Sequence, residues 1–230
     1  MEKKKQDNPN DSLPLYCDDL FKYKRRVTND VYIGNVAMGS KYPIRLQSMT
    51  TTNTLDIEST VEQCIRIAQA GADYIRITAQ GVREAEALNV IREKLRANAY
   101  DTPLIADIHF NPSAAETAAR NVEKVRVNPG NFVDKRADFT ELEFTEDEYS
   151  IELVRLRGKF VRLLDICREN NTALRIGANH GSLSDRIMSR YGDTPQGMVE
   201  SAMEFLRICK KEKFDNVVAS MKASNTRVMV

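Results

Sequence analysis

The chain has 230 residues, of which 42% are apolar and 29% are charged, and its formal net charge is +1. This composition is typical of a globular domain with a sizeable core, and it gives no overall basic excess for nucleic acid or an anionic membrane. No apolar run approaches the ~18 residues of a membrane-spanning helix. The polar start of the chain has no apolar stretch typical of a secretion signal, so we expect a cytoplasmic protein.

The first part of the chain predicts a lead-in followed by a capping hairpin. Residues 1–24 are polar and of mixed charge, and we expect them to form a flexible lead-in to a domain over 25–230. The stretch VYIGNVAMG at 31–39 alternates around two glycines, which predicts a small hairpin that covers one end of that domain.

Strand-like and helix-like stretches then alternate. The apolar runs that are too short for helices lie at 44–49, 73–78, 103–108, 124–127, 173–178 and 216–221. Asp56 and Thr194-Pro195 are predicted to begin two of the intervening helices. The first three runs start about 30 residues apart, the length of a βα unit. The pattern predicts an α/β fold, a (β/α)8 TIM barrel that is truncated after the sixth strand.

Residues 134–170 interrupt this rhythm. An acidic stretch, DKRADFTELEFTEDEYS, is followed by an apolar helical pattern made by Ile151, Val154, Val161, Leu164 and Cys167. We interpret the segment as a peripheral insertion that ends in an extended helix, since loops tolerate such growth.

The four cysteines are widely spaced and form no C-x-x-C motif. They are Cys17, Cys64, Cys167 and Cys209, and two of them lie on apolar helix faces. This spacing favours buried reduced thiols. The chain therefore offers no metal site or iron–sulfur site that the sequence makes evident.

Four cations lie at or near the ends of predicted strands. Arg76, Arg126, Arg175 and Lys222 lie in the stretches IRIT, VRVNPGN, RIGANHGS and SMKAS. In a parallel barrel the carboxyl ends of the strands converge on one rim, where that fold places its chemistry. A single arginine would be interpreted as the partner of a neighbouring carboxylate. Four cations, however, carry more positive charge than the one carboxylate of Asp107 can neutralise. The set predicts a site for a polyanion, most simply a diphosphate.

Asp107 and His109 lie two residues apart in ADIHF, so on a strand they share a face. The pair is compatible with a metal half-site, an acid–base couple or a structural contact. Because His109 and His180 are the only histidines, a multi-histidine metal site is nearly excluded. We favour positioning of a substrate oxygen or proton transfer to it.

Two asparagines are further candidates. Asn128 follows Arg126 by two residues and would face the same side, although the NPGN stretch is also a plain turn sequence. Asn179 opens a loop whose Gly181 and Ser182 could form a backbone cradle with it. Either side chain could bind a hydroxyl or a phosphate.

In their order and spacing, these stretches resemble the 4-hydroxy-3-methylbut-2-enyl diphosphate synthase family over about 25–230. The matching segments are PIRLQSMTTTNTLD, AGADYIRIT, ADIHF, VRVNPGN, RIGANHGSLSDRI and ASMKAS. The resemblance implies a barrel that binds 2-C-methyl-D-erythritol 2,4-cyclodiphosphate and takes part in opening it reductively, in the methylerythritol phosphate pathway of isoprenoid biosynthesis. The substrate contacts it implies are Arg76, Asp107, His109, Arg126, Asn128, Arg175, Asn179 and Lys222.

The same resemblance implies parts that this chain lacks. In that family a C-terminal domain holds a [4Fe–4S] cluster on three cysteines and a glutamate, and ferredoxin or flavodoxin supplies the electrons. The family forms a homodimer, and the wording around NHGSLSDRI is similar to its longer, insertion-bearing form. We therefore expect the isolated chain not to turn over substrate by itself.

Two alternatives remain open at this point. A pteridine transferase of the dihydropteroate synthase type uses a similar barrel and an anionic substrate, and its activity would not need iron. A non-catalytic diphosphate-binding fragment would bind the anion tightly without converting it.

Overall fold

The computed structural model describes residues 21–22, 25–109, 111–133 and 144–229. Within these ranges the strands are β1 (Val31–Ile33), β2 (Val36–Met38), β3 (Gln47–Met49), β4 (Tyr74–Ala79), β5 (Leu104–Ile108), β6 (Lys124–Val127), β7 (Ala173–Asn179) and β8 (Val217–Lys222). The helices are α1 (Ile57–Gln69), α2 (Val82–Ala97), α3 (Pro112–Asn121), α4 (Glu146–Glu169), α5 (Asp185–Tyr191), α6 (Pro195–Lys211) and α7 (Thr226–Met229). The lead-in expected over 1–24 falls outside the described residues except at 21–22, so it stays a prediction.

The main sheet is parallel and its strands pair in chain order, β3-β4-β5-β6-β7-β8. At least one helix lies between each pair of consecutive strands, which is the connectivity of a (β/α)8 barrel. The predicted fold is confirmed: the described residues form six strands of an incomplete barrel, with β3 and β8 at its edges. The first strand is shorter than predicted, since only 47–49 of 44–49 pair.

One face of the sheet forms the core with the helices. Fully or almost fully buried residues of β4 to β7 on this face are Ile75, Ile77, Leu104, Ala106, Ile108, Val125, Val127, Leu174 and Ile176. Phe160 of α4 and Phe205 of α6 meet edge to face with ring centroids 4.8 Å apart, and Phe132 packs edge-on against both. Because every second strand residue is committed to this core, the intervening residues point into the barrel.

Three helices begin at side-chain caps, two of which, Asp56 and Thr194, the sequence predicts. The Asp56 carboxylate accepts the Ser59 amide at 3.3 Å, and the Thr194 hydroxyl accepts the Gly197 amide at 3.0 Å. The side-chain oxygen of Asn111 accepts a hydrogen bond from the Ser113 amide at 3.0 Å, and Pro112 is the first residue of α3. Each cap satisfies an amide that the first helical turn leaves without an intrahelical partner.

Helix α4 differs from the peripheral insertion expected over 134–170. Leu156, Phe160 and Leu163 are fully buried in the core, so residues 146–169 are the crossover helix between β6 and β7. Ile151 and Val154, predicted on its inner face, are exposed instead. The acidic stretch at 134–143 lies outside the described residues. No helix of the described ranges, α4 included, is long and apolar enough to cross a bilayer.

The predicted hairpin is formed by β1 and β2 and covers the amino-terminal end of the barrel. Val31 and Ile33 are buried against Tyr74, Ile105 and Ala173, which lie at or near the starts of β4, β5 and β7. The side chain of Asn216 fixes the hairpin by accepting the Tyr32 amide at 2.9 Å and donating to the Tyr32 carbonyl at 3.1 Å. The apolar hairpin therefore closes the end of the barrel opposite the predicted rim.

The sequence did not predict α5, which lies in a stretch interpreted as a loop. This short helix is anchored by the buried guanidinium of Arg186, which donates to the two Glu204 carboxylate oxygens at 3.3 and 2.6 Å. The hydroxyl of Tyr149 in α4 donates to the same carboxylate. Glu204 thus connects α4, α5 and α6 from inside the protein, and both charges of its ion pair are almost wholly removed from solvent.

We predict that Glu204→Ala lowers the free energy of unfolding by about 3–5 kcal/mol, because it leaves Arg186 buried without its counter-ion. The matched control is Glu200→Ala on the same helix, which removes an ion pair with the mostly exposed Arg207 and is expected to cost about 0–1 kcal/mol. Urea denaturation of both variants measures the difference. Equal losses of unfolding free energy in the two variants would show that burial of Arg186 does not require Glu204 as its counter-ion.

Candidate functional site

The inner face of the sheet carries the predicted charged residues. Arg76 alternates with Ile75 and Ile77 of the outer core, and Asp107, Arg126 and Arg175 occupy equivalent places on β5, β6 and β7. In the strand register Asp107 lies beside Arg126, and Arg126 lies beside Arg175. The parallel sheet therefore brings these four side chains together inside the barrel, as the strand-end pattern predicts.

Asp107 is the centre of this cluster and is buried. One of its oxygens, Oδ2, accepts Nη2 of Arg76 at 2.5 Å and lies 3.2 Å from Nε2 of His109, while Oδ1 accepts Nη1 of Arg126 at 3.1 Å. Burial alone would raise the pKa of Asp107. The hydrogen bond with His109 and the charges of Arg126 and Arg76 outweigh burial and hold that pKa at about 2. The carboxylate is therefore ionised at neutral pH.

Arg126 is buried and held on two sides. Besides its bond to Asp107, it donates from Nη2 to the Gly177 carbonyl of β7 at 2.9 Å. A Cβ atom at position 177 would lie 2.5 Å from Nε of Arg126, so the glycine makes room for the guanidinium. No local sequence pattern marks Gly177, because its role depends on a side chain that lies 51 residues away.

Arg175 completes the cationic layer and donates from Nε to the Ser220 hydroxyl of β8 at 2.8 Å. Burial lowers the pKa of Arg175, and the neighbouring charges of Arg76 and Arg126 lower it further. Nε of Arg76 is buried without a hydrogen-bond partner. In the described part of this layer three guanidinium groups share one carboxylate, which leaves net positive charge and an unused donor inside the barrel.

Asn128 connects the loops that follow β6 and β7. Its Nδ2 donates to the Ser182 hydroxyl at 3.0 Å, and its Oδ1 accepts the Gly130 amide at 3.2 Å. Gly130 packs so closely on the backbone of Ser182 and Leu183 that a Cβ atom would collide with the Ser182 carbonyl. The Asn128 side chain therefore has a structural role at the rim. Its contact with a substrate stays a prediction.

Asn179 and Lys222 lie beside each other at the carboxyl ends of β7 and β8. The His180 amide donates to the Lys222 carbonyl at 2.8 Å, which holds the loop after β7 against β8. Lys222 is exposed at the rim and makes no ion pair within the described residues. The eight predicted site residues therefore divide into a cluster around the buried Asp107 and Arg126 and a rim group of Asn128, Asn179 and Lys222.

Lys124 is a further inner-face residue that the sequence analysis missed. It precedes Arg126 by two residues on β6, and only 2% of its surface is exposed. Its Nζ lies 4.7 Å from the centroid of the Tyr74 ring. The signal that could have found it is the two-residue period, which places Lys124 and Arg126 on one face.

The described residues contain no group of three or more histidine, cysteine, aspartate or glutamate side chains that could hold a metal ion. Cys64, Cys167 and Cys209 are buried and free, as predicted, whereas Cys17 lies outside the described residues. Burial raises the pKa of each of these three thiols to about 12. Since metal and iron–sulfur ligands are thiolates, these residues do not fit an iron–sulfur cluster.

A cavity of about 760 Å³ lies at the opposite, amino-terminal end of the barrel. Charged residues of both signs line it: Asp30, Arg92, Arg120, Glu123 and Asp215. Because its three carboxylates outnumber its two arginines, the cavity offers less attraction to a polyanion than the arginine layer does.

A family model described as the GcpE TIM-barrel domain matches residues 28–230, which include every site residue described above. The chain belongs to the GcpE family. The resemblance found from the sequence is therefore confirmed at the level of the family.

Curated relatives carry the same family name that the sequence motifs suggest. Relatives from Phocaeicola vulgatus and Bacteroides fragilis are 59% and 60% identical over 212 residues, 92% of this chain and 34% of each relative. Both are named 4-hydroxy-3-methylbut-2-en-1-yl diphosphate synthase (flavodoxin). A chloroplastic relative from Oryza sativa, named as the ferredoxin form, is 54% identical over 94% of this chain and 29% of its own length. The chain spans about a third of the length of these relatives.

Solved structures have much lower sequence identity to this GcpE-family chain than the curated relatives do. A phospho-2-dehydro-3-deoxyheptonate aldolase from Thermotoga maritima has 13% sequence identity and a TM-score of 0.46, covering 83% of this chain and 44% of that one. The assignment therefore depends on the family model and the curated relatives.

We predict that His109→Ala raises the pKa of Asp107 from about 2 towards its ordinary value of 3.8, because the His109 hydrogen bond is the largest favourable influence on the carboxylate. The lowered pKa means that Asp107 stabilises the fold above about pH 4 and loses this effect as the pH falls towards 2. Carbon-13 NMR of the aspartate carboxyl groups measures the change, and Asp107→Asn identifies the resonance. A resonance that titrates identically in wild type and His109→Ala would contradict the contact.

We predict that Gly177→Ala destabilises the protein by about 1–3 kcal/mol, because the new methyl group displaces Arg126 from Asp107. Gly158→Ala in α4 is the control: nothing lies within 4 Å of its Cβ position, so removal of a helical glycine is expected to stabilise by about 0.5–1 kcal/mol. Denaturation curves of the two variants should shift in opposite directions. If Gly177→Ala left the free energy of unfolding unchanged, Arg126 would be shown to move aside without loss of stability.

Proposed function

We propose that this chain is the substrate-binding barrel of a 4-hydroxy-3-methylbut-2-enyl diphosphate synthase, with 2-C-methyl-D-erythritol 2,4-cyclodiphosphate as its ligand. The observation that carries the proposal is the layer of Arg76, Arg126 and Arg175 inside the barrel with Asp107 as its only described carboxylate. An anion bound between these side chains would stabilise such an excess of buried and partly buried guanidinium charge. The names of the curated relatives support the choice of ligand.

In this proposal the arginines and Lys222 hold the phosphoryl oxygens. Arg126 and Arg175 lie side by side on β6 and β7, so their donors can approach neighbouring oxygens of one diphosphate. The unused Nε of Arg76 is a further donor. Lys222 lies at the rim, and its charge would act on the ligand as it enters.

Asp107 and His109 are proposed to act on the carbon skeleton. About a third of the His109 side chain is exposed, and its Nε2 lies 3.2 Å from the ionised Asp107 carboxylate. This contact orients the imidazole, and the exposed part of the ring places His109 to transfer a proton to a substrate oxygen. Asp107 is then a positioning group that remains ionised.

The complete conversion opens the cyclic diphosphate and removes one oxygen as water, with two electrons and two protons. A [4Fe–4S] cluster would supply the electron transfer; since the described residues do not fit one, it would be held by a part of the longer protein outside this chain. Flavodoxin or ferredoxin would be the electron donor, as the names of the relatives state for those proteins. A homodimer and a cytoplasmic location remain part of the proposal.

Membership of the GcpE family replaces the alternative of a pteridine transferase. A binding fragment without its own turnover is compatible with everything described for this chain, and it differs from the synthase only in what the longer protein adds. Substrate binding is therefore the property to test first.

We predict that Arg126→Ala weakens binding of the cyclodiphosphate by on the order of 1.5–3 kcal/mol, since a desolvated phosphoryl oxygen loses a charged donor. Calorimetric titration of the chain with the cyclodiphosphate measures the dissociation constant. The control is Arg162→Ala, an exposed arginine on α4 that pairs with Glu116 and should leave binding unchanged.

Two results would count against the proposal. Undetectable binding by the folded wild-type chain would exclude it as the substrate-binding barrel. Equal affinity of Arg126→Ala and wild type would remove Arg126 from the site.

A further inference from the structure

Lys124 lies between two different surroundings inside the barrel. On its amino-terminal side lies the apolar cluster formed by the hairpin with Tyr74, Ile105 and Ala173. Ile105 and Ala173 are the register neighbours of Lys124 on β5 and β7. Towards the carboxyl end lies the arginine layer, which begins two residues later with Arg126. The proposed function gives this lysine no role.

The ammonium group of Lys124 has little to compensate its charge. Its recorded contact is with the face of the Tyr74 ring, a weak attraction, and it makes no ion pair within the described residues. The charged and titratable groups on the inner face around it are Tyr74 and Arg76 of β4, Asp107 and His109 of β5, Arg126 of β6, Arg175 of β7 and Lys222 of β8. The one carboxylate among them already contacts Arg76, His109 and Arg126.

We propose that Lys124 is a proton-linked positioning residue of the anion site, which takes up a proton when a diphosphate binds to the arginine layer above it. The inference deepens the proposed function and rests on it. No movement of the chain is required, because the group that changes its charge is already in place beneath Arg126.

The direction of the coupling follows from electrostatics. In the free protein the pKa of Lys124 is lowered to about 7, mainly by burial and to a smaller extent by the charges of Arg175 and Arg76. A bound polyanion reverses the sign of the field from that layer and favours the ammonium form. Above neutral pH the free protein therefore holds Lys124 largely uncharged, and binding takes a proton from solution.

The ligand itself does not titrate in this range. Each phosphorus of the cyclodiphosphate carries one strongly acidic hydroxyl, so its charge stays constant above about pH 5. A pH dependence of affinity between pH 7 and 9 therefore reports on the protein. For one linked proton the affinity falls by up to about tenfold per pH unit as the pH rises.

Calorimetric titration with the cyclodiphosphate in two buffers of different ionisation enthalpy tests the inference. At pH 8 wild type should take up close to one proton per ligand, and its affinity should fall between pH 7 and 9. Lys124→Met, which is close in volume, should bind more weakly at pH 7 with no proton uptake and little pH dependence. Lys222→Met and His109→Gln are controls that should bind more weakly but retain the uptake.

A second variant covers the case in which Lys124→Met does not fold. Lys124→Arg keeps a permanent charge, so it should bind without taking up a proton. Lysine labelled with carbon-13 at Cε gives an independent readout: the Lys124 resonance, assigned by its absence from Lys124→Arg, should titrate near pH 7 in the free protein and at higher pH with ligand.

The outcomes separate the two proposals. Binding by wild type with no proton uptake, or uptake that persists in Lys124→Met, overturns the role of Lys124 and leaves the proposed function intact. Absence of binding by wild type at every pH overturns the proposed function and this inference with it.

Discussion

The carboxylate of Asp107 holds the inside of the barrel together. It lies on a central strand, is almost wholly buried and contacts Arg76, His109 and Arg126 at once. Charges placed so deep would oppose folding without a counter-ion, because each loses its hydration. One carboxylate is enough to hold these neighbours in place, but it does not neutralise the three guanidinium groups. The folded chain thereby keeps an excess of positive charge inside the barrel, which the proposed anion would neutralise.

The two-residue period of the strands lets this charged layer coexist with an apolar core. On β6, Val125 and Val127 are buried against the helices, whereas Lys124 and Arg126 lie on the opposite face. The two faces can be specified separately, because neighbouring residues of a strand never share a side. The apolar hairpin closes the barrel from the amino-terminal end, so polar groups accumulate towards the carboxyl rim. The scaffold thus determines where charge can be placed.

Much of this arrangement is predictable from local sequence. Short apolar runs predict the strands, and capping residues such as Asp56 and Thr194 predict the starts of helices, because both signals act within a few residues. The family motifs mark the cationic positions. The register that brings Asp107, Arg126 and Arg175 side by side then follows from the connectivity of a parallel barrel.

What was missed depends on contacts between distant parts of the chain. The room that Gly177 makes for Arg126 and the contact of Asn128 with Ser182 join residues 51 and 54 positions apart. Lys124 was overlooked because a lysine is ordinarily a surface residue, and only the barrel makes its position internal. The exposed Ile151 and Val154 fit the helical period but precede the part of α4 that reaches the core.

The contact between Tyr32 and Asn216 determines when the hairpin can be fixed to the end of the barrel. The two residues are 184 positions apart, and their paired hydrogen bonds hold the hairpin in place. Each parallel strand pair, by contrast, joins segments that follow one another along the chain. Loop closure over so long a distance is slow relative to pairing of neighbours. During synthesis on a ribosome these two hydrogen bonds must therefore wait for Asn216 to emerge, so the first strands of the described residues are among the last to be fully fixed.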